Sequence, residues 1–113
     1  MATKVLIPLQ GNDVAPRFDF ATEALVAVIG GGDELLEERT IVLPHASSDE
    51  LCHLIVAENV KTVICGGIEE EYFQYLTWKK VEVLDSVIGP YERALELWRQ
   101  EGLRAGDILF ERA

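Results

Sequence analysis

Three side chains of this sequence carry a reactive or charged group at a predicted strand end or in the loop that follows a strand: Cys65 at a strand end, and Arg17 and His45 in loops. A thiolate is a soft ligand for iron, copper or molybdenum–sulfur species, and an imidazole nitrogen is a common metal ligand. A guanidinium keeps its proton, so it can hold an anion only through charge and hydrogen bonds. These residue types together predict the binding of a metal or of a compact anion.

Cys65 lies at the end of an apolar stretch with the sequence VKTVICGGI. Its β-branched residues favour a buried strand over Thr62–Cys65, and the glycine pair that follows predicts a tight turn into a helix. In open α/β sheets, ligands bind outside the carboxyl ends of the strands. We therefore place the functional edge at this turn, where the backbone N–H groups of Gly66, Gly67 and Ile68 would hold a compact anion.

The rest of the sequence divides into strands and helices that position these residues. Apolar runs bounded by turn residues predict strands at 4–9, 20–29, 34–43, 60–65 and 81–84. Apolar residues at helical spacing predict helices near 48–58, 69–78 and 90–101. Ser47 and Glu50 have the spacing of a capping box, and Asn59 suits the position after that helix.

The resulting order β-β-β-α-β-α-β-α is that of the ribonuclease H-like architecture. We therefore predict an α/β, three-layer fold with a five-stranded mixed sheet in the order 3-2-1-4-5 and helices on both faces. One domain is expected over residues 1–113. Its core would cover about residues 4–103, and residues 104–113 would form a tail or an extra strand.

This topology brings several loops to one edge of the sheet. Strands one and four would be parallel neighbours, so the loop Gln10–Asp19 and the turn Cys65–Ile68 would face each other. The loop Ser86–Gly89 would form a third wall. Strand three runs in the direction of strand one, which puts His45 at the same edge. We predict that one shallow cleft is lined by Gln10–Arg17, His45, Cys65–Ile68 and Ser86–Gly89.

Each candidate also has a structural alternative that the sequence leaves open. The alternative for Cys65 is a small buried hydrophobe, which is what most free cysteines are. The alternative for His45 is an exposed loop residue. For Arg17 it is a surface pair with Asp13 or Asp19. Two further side chains are expected in the core, namely Cys52 on the first helix and Phe18 above the sheet.

The charge balance excludes some partners. Twenty acidic against ten basic side chains give a formal net charge of −10. Binding to a nucleic-acid backbone or to an anionic membrane requires a basic patch, so we expect neither partner. The two cysteines form no disulfide framework, and no apolar run approaches the ~18 residues of a membrane span. These features predict a reduced, cytoplasmic protein.

Three stretches of the sequence, in order, resemble blocks of one protein family. VLIPLQGNDVAPRFDFATEALVAVI is similar to an opening strand, a Gly/Asn loop, a small-Pro-His-Phe-Gly motif and a hydrophobic strand. VKTVICGGI is similar to a strand that enters Gly-Gly-Ile. IGPYERALELWRQEGL is similar to a block whose helix carries Ala-Leu and ends near Gly. On these blocks, which span about residues 4–103, the chain resembles the dinitrogenase iron–molybdenum cofactor biosynthesis domain family.

The resemblance implies a ribonuclease H-like fold and a role, related to nitrogen fixation, as a carrier or scaffold for metal–sulfur cofactors such as an iron–molybdenum cluster. The residues predicted to contact such a cofactor are Asn12, Arg17, Phe18, Gly66, Gly67 and Ile68. The residues predicted to touch its metal are Cys65 and His45.

The sequence departs from the family pattern at the first loop and after the glycine pair. Arg17 stands where the family has histidine, and Asp19 stands where it has glycine. Arginine binds through charge and hydrogen bonds rather than as a metal ligand. The acidic run Glu69–Glu71 opens the next helix, where an anionic cluster would otherwise be favoured.

We predict a small, non-enzymatic binding or carrier protein for a metal–sulfur cluster or another compact anionic ligand, with a protein partner or a second copy as a further partner. The alternative is an interaction or regulatory module without a metal ligand, which would use residues 107–112 to pair with a partner. A ribonuclease H-like nuclease is disfavoured. Two-metal phosphoryl transfer needs converging carboxylates, and the first strand, Lys4–Leu9, carries no acidic residue.

Overall fold

The sheet is built around its central strand β1, Thr3–Gln10. The computed structural model describes residues 2–109. The apolar run of β1 is buried on both faces, as expected of a central strand. β1 pairs antiparallel with β3, Glu23–Ile29, and parallel with β5, Thr62–Ile64.

Three further strands complete the sheet. β4, Leu35–Val42, pairs antiparallel with β3, and β6, Glu82–Leu84, pairs parallel with β5. β2, Asp13–Val14, turns back after Gly11 and pairs antiparallel with the end of β1. The strand order is β4-β3-β1-β5-β6, and β2 lies off this path beside β1.

The α/β class and the mixed sheet agree with the sequence-based prediction, but the numbered order does not. Counted along the chain, the order is 4-3-1-5-6 rather than 3-2-1-4-5, and the sheet has six strands rather than five. The difference arises because Asp13–Val14 forms a short strand within a segment that we predicted as loop. The five anticipated strands have the neighbours that the prediction gave them.

The helices begin and end close to their sequence signals. The three α-helices are α1, Ser48–Ala57, α2, Glu70–Trp78, and α3, Tyr91–Arg99. The hydroxyl oxygen of Ser47 accepts the Glu50 N–H at 3.2 Å, so Ser47 caps α1. Asn59 follows α1 with a φ of 58°, the left-handed conformation common after a helix end.

Helices cover both faces of the sheet. On one face, the α3 residues Ala94 and Leu95 pack on Val5 and Ile7 of β1 within one apolar cluster. On the other face, the buried residues of α1 and α2 join Leu6 of β1 in a second cluster. Among residues 2–109, no helix has the length and apolar character needed to cross a membrane.

Candidate functional site

The three predicted loops do meet at the carboxyl edge of the parallel strands. Main-chain hydrogen bonds join the first loop to the third, since Val14 donates its N–H to the Gly89 carbonyl at 2.9 Å. The third loop is joined to the glycine turn, since Ser86 donates its N–H to the Gly66 carbonyl at 2.9 Å. The parallel arrangement of β1, β5 and β6 places these loops side by side.

The first loop closes over the glycine turn, so the two segments do not form the walls of an open cleft. Phe18 donates its N–H to the Gly67 carbonyl at 2.8 Å, and Gly67 donates its own N–H to the Pro16 carbonyl at 2.8 Å. A Cβ on Gly66 would stand 2.4 Å from the Ala15 carbonyl oxygen. The absence of a side chain at position 66 therefore allows the first loop to pack against Gly66. The backbone N–H of Gly67 is already hydrogen-bonded within the chain.

Cys65 is enclosed beneath this contact. Its side chain has no exposed surface and belongs to the cluster under α1 and α2. Burial, with smaller contributions from Asp85 and Cys52, raises the pKa of the Cys65 thiol to about 12. Burial therefore disfavours the thiolate, which is the form of cysteine that binds metals.

Cys52 packs in the same cluster, which agrees with the core role expected from its helix position. It is 4% exposed, and burial followed by the charge of Asp49 raises the pKa of its thiol to about 12. Both cysteines are free thiols.

His45 lies in the loop after β4, at the edge predicted for it, but its side chain is turned to solvent. It is 69% exposed, and its Nε2 lies 3.6 Å from the Glu50 carboxylate oxygen. Within residues 2–109, no three His, Cys, Asp or Glu side chains are arranged to hold a metal ion. The donor set of Cys65 and His45 therefore does not suit a cluster bound through protein ligands.

Arg17 is the predicted site residue whose charged group stays accessible. Its side chain is 57% exposed, and its Nε and Nη2 donate to the two carboxylate oxygens of Asp19 at 3.1 and 2.7 Å. Its guanidinium carbon lies 4.0 Å from the ring centroid of Phe20. The surface pair with Asp19, which the sequence left as an alternative, is present beside an aromatic contact that the sequence did not reveal.

Arg17 and Phe20 border a surface depression of about 440 Å³ next to the end of β1. The depression is lined by Leu9, Gln10, Gly11, Ala15, Pro16, Arg17, Phe20, Ala21, Thr22 and Glu23. Phe20, Thr22 and Glu23 were missed from the sequence because we assigned the segment from residue 20 to a strand. The short 3-10 helix Phe18–Phe20 instead turns Phe20 outward, where it is 65% exposed.

The other predicted cofactor contacts lie elsewhere. Phe18 is 1% exposed and packs in the core beneath the first loop. Asn12 is exposed, and its carbonyl accepts the Tyr91 N–H at 3.0 Å. Ile68 is half-buried against the cluster under α1 and α2. None of these three residues lines the depression beside Arg17.

The C-terminal segment pairs within its own chain. Ile88 donates its N–H to the Asp107 carbonyl at 3.0 Å, and Leu109 donates to the Ile88 carbonyl at 2.7 Å. Residues 107–109, which the sequence offered as a strand for a partner, are therefore already paired beside Gly89. Residues 110–112 of that predicted strand lie outside the described residues.

Comparisons with known proteins give structural relatives. No protein-family profile matches the sequence, and no curated protein matches it. PH0822 has a similar structure, with a TM-score of 0.83 at 18% identity over 91% of this chain and 94% of that chain. A "putative dinitrogenase" of Methanocaldococcus jannaschii gives a TM-score of 0.73 at 25% identity over 91% and 93% of the two chains. A "putative NifB protein" from Thermotoga gives 0.66 at 18% identity over 97% of each chain. The 25% identity to the Methanocaldococcus jannaschii protein supports a distant relationship to a protein named as a putative dinitrogenase. At 18% identity, PH0822 and the Thermotoga protein show a shared fold.

Proposed function

We propose that this protein is a small, non-enzymatic binding protein and that its binding surface is the depression beside Arg17. The observation that carries this proposal is the exposed Arg17 guanidinium at the rim of that depression, 4.0 Å from the Phe20 ring. A cation beside an aromatic wall, at the edge where open α/β sheets bind ligands, suits a compact anion.

The ligand class we propose is a compact anion, including an intact metal–sulfur species. The names of the structural neighbours, dinitrogenase and NifB, support the metal–sulfur part of this proposal. Arg17 would hold such an anion as a whole, through N–H donors, because Cys65 is buried and no three His, Cys, Asp or Glu side chains among residues 2–109 are arranged to hold a metal ion. A guanidinium has five N–H donors, and Asp19 accepts from two of its nitrogens, which leaves other donors for a ligand.

We propose that the fold is of the ribonuclease H-like class, supported by the mixed sheet with helices on both faces. A nuclease role is not part of the proposal, because β1 carries no acidic residue to hold a catalytic metal. A cytoplasmic location and a role related to nitrogen fixation are part of it. The free thiols of Cys52 and Cys65 support a cytoplasmic location. The names of the structural neighbours support a role related to nitrogen fixation.

Anaerobic titration with tetrathiomolybdate, a compact metal–sulfur anion with strong visible absorption, tests the proposal. We expect a protein-bound adduct in native mass spectrometry and a retained visible band after gel filtration. Arg17→Ala should weaken uptake by about tenfold, because it removes charge-assisted hydrogen bonds. Cys65→Ala should leave uptake unchanged.

Arg93→Ala is the matched control, since Arg93 is an exposed arginine that also pairs with a carboxylate, that of Glu96. It does not line the depression beside Arg17. If Arg17→Ala and Arg93→Ala lowered tetrathiomolybdate uptake equally, the binding would be non-specific charge attraction. If Cys65→Ala alone lowered uptake, the binding site would lie in the core at Cys65. Either result would overturn the proposal.

A further inference from the structure

A second surface, at the far edge of the sheet, has the features of a docking site. β4 ends the strand order, and within residues 2–109 the sheet pairs it with β3 alone. Seven of its eight residues are exposed, so no helix or loop of the described residues covers this edge. An open strand of this length presents unpaired backbone N–H and C=O groups to a neighbouring chain.

The hydrogen-bond pattern identifies which backbone groups are free to pair. Leu43, just after β4, donates its N–H to the Thr22 carbonyl at 2.7 Å, in line with the β3–β4 register. Successive residues of an antiparallel strand alternate between facing the partner strand and facing away from it. The residues of β4 whose N–H and C=O face the open edge are therefore Glu38, Thr40 and Val42.

The charges along this edge favour a basic occupant. Arg39 already pairs with Glu58, so the central charges left on the strand are the carboxylates of Glu37 and Glu38. Glu38 also borders a depression of about 390 Å³ against α3, whose other lining residues are Leu35, Tyr91, Glu92, Leu95, Glu96 and Arg99. Its three carboxylates outnumber its one cation, Arg99, whose Nε donates to the Asp33 carbonyl at 2.8 Å. A basic side chain on an added strand next to Glu38 would lie over this depression.

We propose that the β4 edge binds an extended, basic segment of another protein as an additional antiparallel or parallel strand. Backbone hydrogen bonds to Glu38 and Thr40 supply affinity, and lysine or arginine at alternate positions supplies specificity. A second copy of this chain is the less suitable occupant, because each copy carries a net charge of −10 and would place the acidic edges together. This surface is separate from the depression beside Arg17, so either proposal can fail alone.

The test uses isotope-labelled full-length protein and a blocked peptide of alternating lysine and threonine, as long as β4. We expect amide shifts and slowed hydrogen exchange at Glu38, Thr40 and Val42, with binding that weakens as salt rises. A peptide of alternating glutamate and threonine should not bind. Thr40→Pro should weaken binding about tenfold, because it removes an outward N–H without removing a hydrogen bond to β3.

Glu38→Gln offers a second variant that leaves the backbone unchanged and should weaken binding about threefold. Glu70→Gln, at an exposed acid of α2, is its control and should have no effect. Shifts confined to other surfaces, or equal binding of both peptides, would overturn the proposal. So would protection of the β4 amides in the absence of peptide together with a dimer mass in sedimentation, since that result makes a second copy the occupant.

Discussion

Gly67 donates its backbone N–H to the carbonyl oxygen of Pro16 at 2.8 Å. This bond ties the first loop to the glycine turn and occupies a donor that would otherwise face a ligand. The accessible part of the edge therefore shifts to the outer side of the first loop, where Arg17 and Phe20 border the depression.

The close approach of the two segments predicts different costs for the two glycines. Gly66→Ala should lower the free energy of unfolding by about 1–3 kcal/mol, because its Cβ would stand 2.4 Å from the Ala15 carbonyl oxygen. Gly67→Ala is the control, since the nearest atom, the Pro16 carbonyl oxygen, lies 3.4 Å from the added Cβ. Urea denaturation measures both variants. Equal losses would contradict this account of the loop contact.

The two phenylalanines of the short 3-10 helix have opposite roles. Phe18→Ala should cost about 3–5 kcal/mol of stability, because Phe18 is 1% exposed in the core. Phe20→Ala should change stability by less than about 1 kcal/mol, because Phe20 is 65% exposed. Thermal unfolding followed by circular dichroism distinguishes them, and a large loss for Phe20→Ala would refute the surface assignment.

The sequence predicted much of the fold because its signals are local. The β-branched and apolar runs located the five predicted strands within a few residues, and Ser47 and Asn59 marked the two ends of α1. The parallel crossovers then brought the three loops to one edge. The sequence did not predict β2, because Asp13–Val14 is extended through its pairing with β1. Two residues are too few to show a strand pattern.

The site was less predictable because it depends on how loops pack. A strand that ends in cysteine and two glycines can bring those glycines against a ligand or against another part of the chain. The sequence does not distinguish these cases, and here the glycines contact Ala15 and Pro16. The outward turn of Phe20 likewise follows from the 3-10 geometry and not from its residue type. Arg17 could be predicted as a site residue because its fixed positive charge suits either an anionic ligand or a surface pair with a carboxylate.

Burial of the thiols predicts low reactivity. Cys65 and Cys52 are 0% and 4% exposed, and the pKa of each is raised to about 12. Iodoacetamide at pH 8 should therefore alkylate both thiols at least about a hundredfold more slowly in the folded protein than in urea. Mass spectrometry of timed samples measures the rates. Rapid alkylation of Cys65 in the folded chain would show that the first loop does not enclose it.

The raised pKa values of Cys65 and of Tyr72 predict that the protein loses stability at alkaline pH. The pKa of Cys65 is raised from 9.0 to about 12, and that of Tyr72 is raised from 10.0 to about 12 by the hydrogen bond to Asp49. Folding favours the protonated form of each group, so this stabilisation is complete below about pH 9 and is lost as the pH rises toward about 12. Cys65→Ala should show a shallower decline than the parent protein in urea midpoints across this range. Parallel declines would mean that Cys65 does not contribute.

The central claim is that an anionic ligand is held by Arg17 at the depression and not by Cys65. The most direct measurement follows the Arg17 Nε–H resonance in nitrogen-15 NMR during anaerobic titration with tetrathiomolybdate. We predict a saturable shift of this resonance and of the Gln10 and Thr22 amides, about two- to fivefold tighter in Asp19→Asn, where the competing carboxylate charge is removed. An Arg17 resonance that stays unmoved while the amides around Cys65 shift would contradict the account.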